Sequence, residues 1–164
     1  MKKISIATIV LSIFSHCLYL GANNYKPETD IYRKVDSLMS LMTLDEKIGQ
    51  TIMYSGDWNN TGPYVNSDNM RFLKEGNLGS MLNVYTSKGT RELQKIAVEE
   101  TRLGIPLLFG YDVIHGFKTI FPINLGIASG WDLEDVEEVA RISADEASAA
   151  GVHWTFAPMI DIAR

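Results

Sequence analysis

One apolar run in this sequence stops on ionisable residues. Ile105-Pro106-Leu107-Leu108-Phe109 ends at Gly110; Asp112 and His115 follow, ahead of Gly116, Thr119 and Pro122. Asp161 stands four residues beyond Ala157, after a second run that contains Trp154 and Phe156. In parallel α/β folds, ligands bind beyond the carboxyl ends of the strands. A carboxylate there can accept hydrogen bonds from sugar hydroxyls or act as a base. Two carboxylates at neighbouring strand ends, about 5–5.5 Å apart, are what a retaining glycosidase needs. Each residue also has a plainer reading. Asp112 can cap a turn or hold a backbone amide, and any α/β protein of this size has acids at strand ends. His115 precedes a glycine in a turn, where histidine commonly serves as a structural hydrogen-bonder. His153 falls at a strand start, away from ligands, and reads as structural. Trp154 and Phe156 alternate along their strand and are expected in the core. Trp58 can stack on a ligand or simply pack its loop.

The elements that would position these groups follow from periodicity. Ile31, Val35, Leu38, Met39 and Met42 recur at three- and four-residue steps from Asp30, predicting a helix. Thr43-Leu44-Asp45-Glu46 is a capping box for a second helix, with Leu44, Ile48 and Ile52 as its apolar positions. Residues 54–69 are rich in Gly, Asn, Asp and Pro and read as an irregular loop. A strand–helix rhythm follows: a strand over 79–84, a helix over 90–102, and a strand over 105–109. A helix capped by Asp132 then runs to about Ala150, and a third strand covers 153–157. Leu133, Val136, Val139, Ala140, Ser143 and Ala147 are the expected inward positions of that helix. Alternating strands and helices predict a parallel sheet with crossover connections. Three strands do not close a barrel of eight strands and ~250 residues; they suit half of a doubly wound sheet or the opening of something larger. Gly76-Asn77-Leu78-Gly79 lacks the preceding strand that a phosphate loop needs.

Composition narrows the partners. The chain has 164 residues, a formal charge of −5, 46% hydrophobic residues and one cysteine, which fits one domain with a real core. Lys2 and Lys3 precede the apolar stretch from Ile4 to Phe14. That pattern reads as a secretory signal, and the stretch is short for a membrane span of about 20 residues. Cleavage is expected near Gly21 and Ala22. This divides the chain into a signal at 1–22, a polar leader at 23–29 and a domain at 30–164, exported to the periplasm or outside the cell. Membrane contact is expected only through the signal, or less readily through a lipid on Cys17, whose preceding His16 is not the small residue such a site uses. Loss of the signal removes two lysines and the one cysteine, leaving 13 basic residues against 20 acidic ones and a charge of −7. The remaining chain has no thiol for a disulfide, a nucleophile or a cysteine-ligated metal. An acidic chain with no basic stripe excludes nucleic acid as an expected partner.

Three blocks taken together resemble glycoside hydrolase family 3. "LMTLDEKIGQ" resembles that family's opening helix. "RLGIPLLFGYDVIHGFKTIFPINLGIASGWD" resembles its second barrel strand and following loop. "RISADEASAAGVHWTFAPMIDIAR" resembles the third, up to the start of the family's R-D-P-R-W-G-R signature. The likeness runs in order from Tyr32 to Arg164 and is greatest to periplasmic β-glucosidase-type members. It implies a (β/α)8 TIM-type barrel domain, of which this chain would hold three strands and their helices. It also implies a retaining mechanism without metal or other cofactor, and a subsite for a terminal non-reducing β-D-glucosyl residue. Asp112 matches the sugar-binding aspartate of the family's G-x-D-x-x-H-G segment, and Gly116 and Pro122 fit its backbone-turning roles. The substrate implied is a β-glucoside or an oligosaccharide. The family's nucleophile, general acid and Lys-His pair lie on later segments. Arg164 matches only the first arginine of the signature, and Asp161 matches no catalytic position, so the resemblance overrides the paired-aspartate reading. On this basis no residue of the chain is expected to be catalytic. The chain is expected to be an N-terminal fragment, inactive by itself. The alternative is a small secreted, non-enzymatic α/β domain that binds a sugar or a protein.

Overall fold

A computed structural model describes residues 29–59, 62–64 and 67–158. Two compact units divide at Leu41. In the first, helix α1 (Thr29–Leu41) begins one residue ahead of its expected start and carries an Asp30–Lys34 ion pair at 2.7 Å.

The second unit runs in the order α2 (Leu44–Gly49), β1 (Met53–Ser55), β2 (Asp57–Asn59), β3 (Gly62–Tyr64), α3 (Ser67–Lys74), β4 (Ser80–Leu82), α4 (Ser87–Glu99), β5 (Leu108–Tyr111), α5 (Asn124–Ala128), α6 (Leu133–Ala149) and β6 (Trp154–Thr155). Strands β1, β4, β5 and β6 form one parallel sheet in that spatial order, and β2 and β3 form a separate antiparallel pair. The expected three-stranded sheet therefore has a fourth strand, β1, across the start of the segment read as loop. Met53, Tyr54 and Ser55 lie opposite Ser80, Met81 and Leu82. Three residues are too few to display a period of two, so the pairing partner rather than the local pattern makes this strand. The same segment also contains the β2–β3 pair and the start of α3.

The core lies on the helix side of the sheet. Met81 and Phe109 are at most 1% exposed and pack with Leu73, Leu78, Val84, Leu93, Ala97 and Leu107. Tyr54 stacks on Phe72 with ring centroids 5.3 Å apart. A smaller cluster of Val113, Ala147 and Val152 seats the carboxyl half of α6 beside β5 and β6.

Caps set the helix starts. Thr86 accepts a hydrogen bond from Gly89 N at 3.1 Å, so α4 opens at Ser87, three residues ahead of the expected start. Asp132 accepts bonds from Glu134 N and Asp135 N and caps α6 as its sequence predicts. Thr43 and Glu46 form the predicted capping box. Glu46 does more than cap: it accepts 2.8 Å from Thr43 N and takes Arg102 Nε at 3.0 Å on its other oxygen. The Arg102 hydrogen bonds, followed by the Thr43 amide, lower its pKa to about 2.

Two expectations about burial are corrected. Leu44 and Ile48 are exposed, and the inward face of α2 is Glu46 and Gly49. A Cβ on Gly49 would lie 2.5 Å from the Asn77 backbone, so the helix seats by close backbone approach rather than by an apolar stripe. On α6, Leu133 is 84% exposed and only Ser143 and Ala147 are buried. The sheet reaches only the carboxyl half of this helix. Trp154 and Phe156 are likewise half-exposed rather than in the core. Register puts Trp154 level with Gly110, Leu82 and Ser55, and Phe156 two residues on. That face of the sheet is opposite the Met81–Phe109 core, and the half-exposed Leu108 lies on it too.

Candidate functional site

The candidate site forms at the carboxyl ends of β1, β4 and β5. Strand β5 begins three residues later than its apolar run suggests. Ile105 and Pro106 lead in, and the Gln94 amide brackets the Leu107 backbone, accepting from its N–H at 2.8 Å and donating to its carbonyl at 3.3 Å. The shift puts Asp112 immediately after the last strand residue, Tyr111.

Asp112 is exposed, and its carboxylate accepts no hydrogen bond from any described residue. Among the described residues it neither caps a turn nor holds an amide. Its backbone surroundings are nevertheless fixed. Val113 N donates to the Tyr111 carbonyl at 3.1 Å and lies 3.4 Å from Thr155 Oγ1 on β6. At the end of β4, Asn83 adopts φ +64, donates its backbone N–H to the Gly110 carbonyl, and reaches Ser55 Oγ on β1 at 3.0 Å with Nδ2. Asn69 Nδ2 donates to the Ser55 carbonyl at 3.1 Å. Asn83 thus links three strand ends. No periodicity or motif points to it in the sequence, where it is only one of two polar residues, with Ser80, in a short strand.

Below this rim, Tyr111, Tyr85 and Phe117 form an aromatic trio, with centroids 4.9 Å apart for the tyrosines and 5.6 Å for Tyr111 and Phe117. Burial, then the neighbouring Tyr85 and Asp112, raises the Tyr111 hydroxyl above its usual range, so it stays protonated and can donate.

The segment after Asp112 is a closed turn. His115 Nδ1 lies 3.0 Å from the Phe121 carbonyl, which can only accept, so Nδ1 carries the proton. Phe121 N donates back to the His115 carbonyl at 2.9 Å. His115 is therefore the structural hydrogen-bonder its sequence context suggests. Gly116 has φ +111, and a Cβ there would fall 2.0 Å from the Thr119 carbonyl oxygen. Only glycine fits. His153 is structural too: Phe109 N donates to its Nδ1 at 3.2 Å, and its own N–H donates to the Phe109 carbonyl at 2.9 Å. Asp161, Arg164, Cys17, the expected signal and the Trp58 side chain lie outside what the structure describes. Among the described residues, no group of His, Asp or Glu is arranged to hold a metal ion, and no described helix is long and apolar enough to cross a membrane.

A parallel α/β sheet with crossover helices and an acid at a strand mouth defines the chain as an α/β enzyme-type domain. Its likeness to known proteins narrows that class. Residues 43–164 match the N-terminal domain of glycosyl hydrolase family 3. The chain belongs to that family. It is 42% identical over 131 residues to the periplasmic beta-glucosidase of Salmonella typhimurium, covering 79% of this chain and 16% of the relative. It is 29% identical over 156 residues to the lysosomal beta glucosidase of Dictyostelium discoideum, covering 78% and 18%. The beta-glucosidase of Listeria innocua in complex with glucose superposes with a TM-score of 0.66 at 39% identity, over 79% of this chain and 19% of that one. The fold is thus the α/β, TIM-type barrel architecture of this family's N-terminal domain, represented here by four parallel strands. The chain spans less than a fifth of the length of these relatives.

Proposed function

We propose that this chain carries the glucose-holding strand ends of a retaining β-glucosidase. In this reading Asp112 accepts hydrogen bonds from hydroxyls of a terminal, non-reducing β-D-glucosyl residue. It holds the ring, and it transfers neither a proton nor an electron pair. One observation carries the reading: the Asp112 carboxylate stands exposed at the mouth of β5, with no protein donor among the described residues, on a backbone fixed by β4 and β6. A carboxylate with its lone pairs free on a rigid strand end is a preorganised acceptor for paired hydroxyls. The Listeria innocua beta-glucosidase solved with glucose, and a variant of it solved with laminaribiose at a TM-score of 0.65, support a β-glucoside as the substrate class.

Hydrolysis with retention needs a nucleophile and an acid on opposite sides of the scissile bond. Asp112 supplies neither, so the 164-residue chain by itself is proposed to bind without turnover. We further propose that the protein is exported to the periplasm or beyond, which the Lys2–Phe14 pattern and the periplasmic relative support. The test of the site is calorimetric titration of the chain with glucose, beside Asp112→Asn. Heat saturating in the wild type and lost in the variant is the expected result. Equal binding by both would remove Asp112 from the site.

A further inference from the structure

We propose that Glu146 is the positioning residue of the loop that follows Asp112: from α6 it fixes the Lys118–Thr119 backbone and so holds residues 113–121 clear of the Asp112 carboxylate. The inference deepens the sugar-holding reading and rests on it for its functional consequence. One carboxylate takes three donors. Glu146 Oε2 accepts from Lys118 N at 2.7 Å and from Thr119 N at 2.8 Å, while Oε1 accepts from Thr119 Oγ1 at 2.6 Å. Consecutive backbone N–H groups aimed at one anion form a small charge-assisted clamp. The residues three and four positions away are Ile142, Ser143, Ala149 and Ala150, so Glu146 has no cation to pair with along its own helix. By contrast, Glu138 and Asp145 both hold Arg141. The acid of α6 that leaves its own helix is the one that grips the loop.

The loop has the construction of a segment clamped at its tip. Gly116, at φ +111, brings the chain back against Thr119. His115 and Phe121 close its base through two hydrogen bonds. Phe117 is set edge-on to both Tyr85 and Tyr111, at 6.3 and 5.6 Å, so displacement of the tip also disturbs the Tyr111 ring beside Asp112. The base of the loop is packed through Val113, and Phe117 lies against the same Ala147 cluster, while its exposed tip by itself would open readily; the hydrogen-bonded tie of that tip to α6 is Glu146. Thr119 and Lys118 hydrogen bonds, against a smaller opposing effect of burial, lower the Glu146 pKa. The ionisable groups on the elements around it are Lys118 and His115 on the loop, Asp112, Tyr111 and Tyr85 beneath it, and Asp145 on α6.

The test is amide hydrogen exchange, read by mass spectrometry, on the 164-residue chain as wild type, Glu146→Gln and Thr119→Val. Glu146→Gln keeps the side chain's shape but points an NH2 group at a donor. Exchange in peptides covering 113–121 should rise roughly ten- to a hundredfold in Glu146→Gln, as expected for losing bonds to a charged acceptor. Thr119→Val, which removes one of the three donors, should give a smaller rise. Peptides covering α4 should be unchanged in both. Corrected for intrinsic rates, wild-type loop protection should be full above the ordinary carboxylate range and fall as pH drops below it, and Glu146→Gln should show no such step. Unchanged loop exchange in Glu146→Gln, or an equal rise across α4, overturns the proposal. Glucose added to the same samples separates the two readings. Wild-type protection near Asp112 that Glu146→Gln reaches only at higher glucose supports positioning, while equal glucose dependence in both overturns it. A loop released by Glu146→Gln with no glucose response in either protein supports the clamp and sinks the sugar-holding reading alone.

Discussion

Gly151 is the joint on which β6 turns back onto the sheet, and Gly151→Ala should destabilise the protein by about 2–3.5 kcal/mol. Two independent effects add up to that figure. Gly151 has φ +87, where an L residue costs about 1–2 kcal/mol. A Cβ there would also fall 2.4 Å from Thr90 Oγ1 and 2.9 Å from Thr90 Cβ. Thr90 is only 4% exposed and β-branched on a helix, so it cannot swing aside freely. Moving it breaks the buried hydrogen bond from its Oγ1 to the Ala150 carbonyl, 2.8 Å long, which is worth about 1–1.5 kcal/mol. Urea unfolding of wild type, Gly151→Ala, Thr90→Ala and the double variant measures each term. Thr90→Ala removes the hydroxyl and Cγ2 and keeps only the Cβ, so in that background the added methyl should carry the backbone strain and the one remaining close contact, with no hydrogen bond left to break. The two changes should therefore be non-additive by about 1 kcal/mol or more, the lesser loss falling in the double variant. A Gly151→Ala protein within about 0.5 kcal/mol of wild type, a typical surface change, would refute the steric reasoning, as would strict additivity. The site is affected as well, because Gly151 leads into the strand whose Thr155 lies against Val113 N, next to Asp112.

Glu46, with its pKa lowered to about 2 by Arg102 and Thr43, stabilises the fold above the ordinary carboxylate range near 4.3, and that stability is lost as pH falls toward about 2. Circular dichroism against pH should show an acid step in this window for the wild type that Glu46→Gln lacks; identical profiles would disprove the linkage. Gly116→Ala has no room for its methyl against the Thr119 carbonyl, so it should open the 113–121 turn and weaken glucose binding more than it lowers the unfolding midpoint. Equal losses in both, or no loss in either, would contradict that. The exported protein should begin close to Ala22 or Asn23, and N-terminal sequencing that returns Met1 from a cytoplasmic fraction would rule out the secretory leader.

What could be read from the sequence was whatever local chemistry determines. The capping box at Thr43 and Glu46 and the cap at Asp132 needed only neighbours within three residues, and both formed as expected. The strand–helix alternation from β4 onward and the placement of Asp112 at a strand mouth were legible for the same reason. What depended on distant partners was not. Strand β1 exists because Met53–Ser55 meets Ser80–Leu82, and nothing in residues 53–55 announces it. The face of α2 was misread because Gly49, which leaves no apolar mark, is the residue that packs. Trp154 and Phe156 looked like core because periodicity cannot say which face of a sheet is covered. Within the site and its supports, Asn83, Glu146 and Arg102 were invisible for one shared reason: their partners lie 27 to 56 residues away.

The acids of this chain can be sorted by what they hold, which their positions in the sequence did not allow. Twenty Asp and Glu residues offer too many candidates. Glu46 grips Arg102 and the Thr43 amide, Asp132 holds the first amides of α6, Glu138 and Asp145 share Arg141, and Glu146 takes Lys118 and Thr119. Each of these has an evident structural reason for being acidic. Asp112 has none within the described fold; exposed acids such as Asp45 and Glu137 share that, but Asp112 sits at a strand mouth whose backbone is fixed between the Asn83 bond to the Gly110 carbonyl and Thr155 opposite Val113 N. An exposed carboxylate can keep its water and so incurs no desolvation penalty. Among the described residues Asp112 makes no hydrogen bond or ion pair that the fold would lose on replacement by Asn. Asp112→Asn should therefore leave the urea midpoint unchanged while abolishing glucose binding. A shift in unfolding free energy above about 1 kcal/mol, the size of an ordinary lost hydrogen bond, would mean that the fold needs this acid for itself, and the lack of a donor among the described residues would then not mark a ligand site.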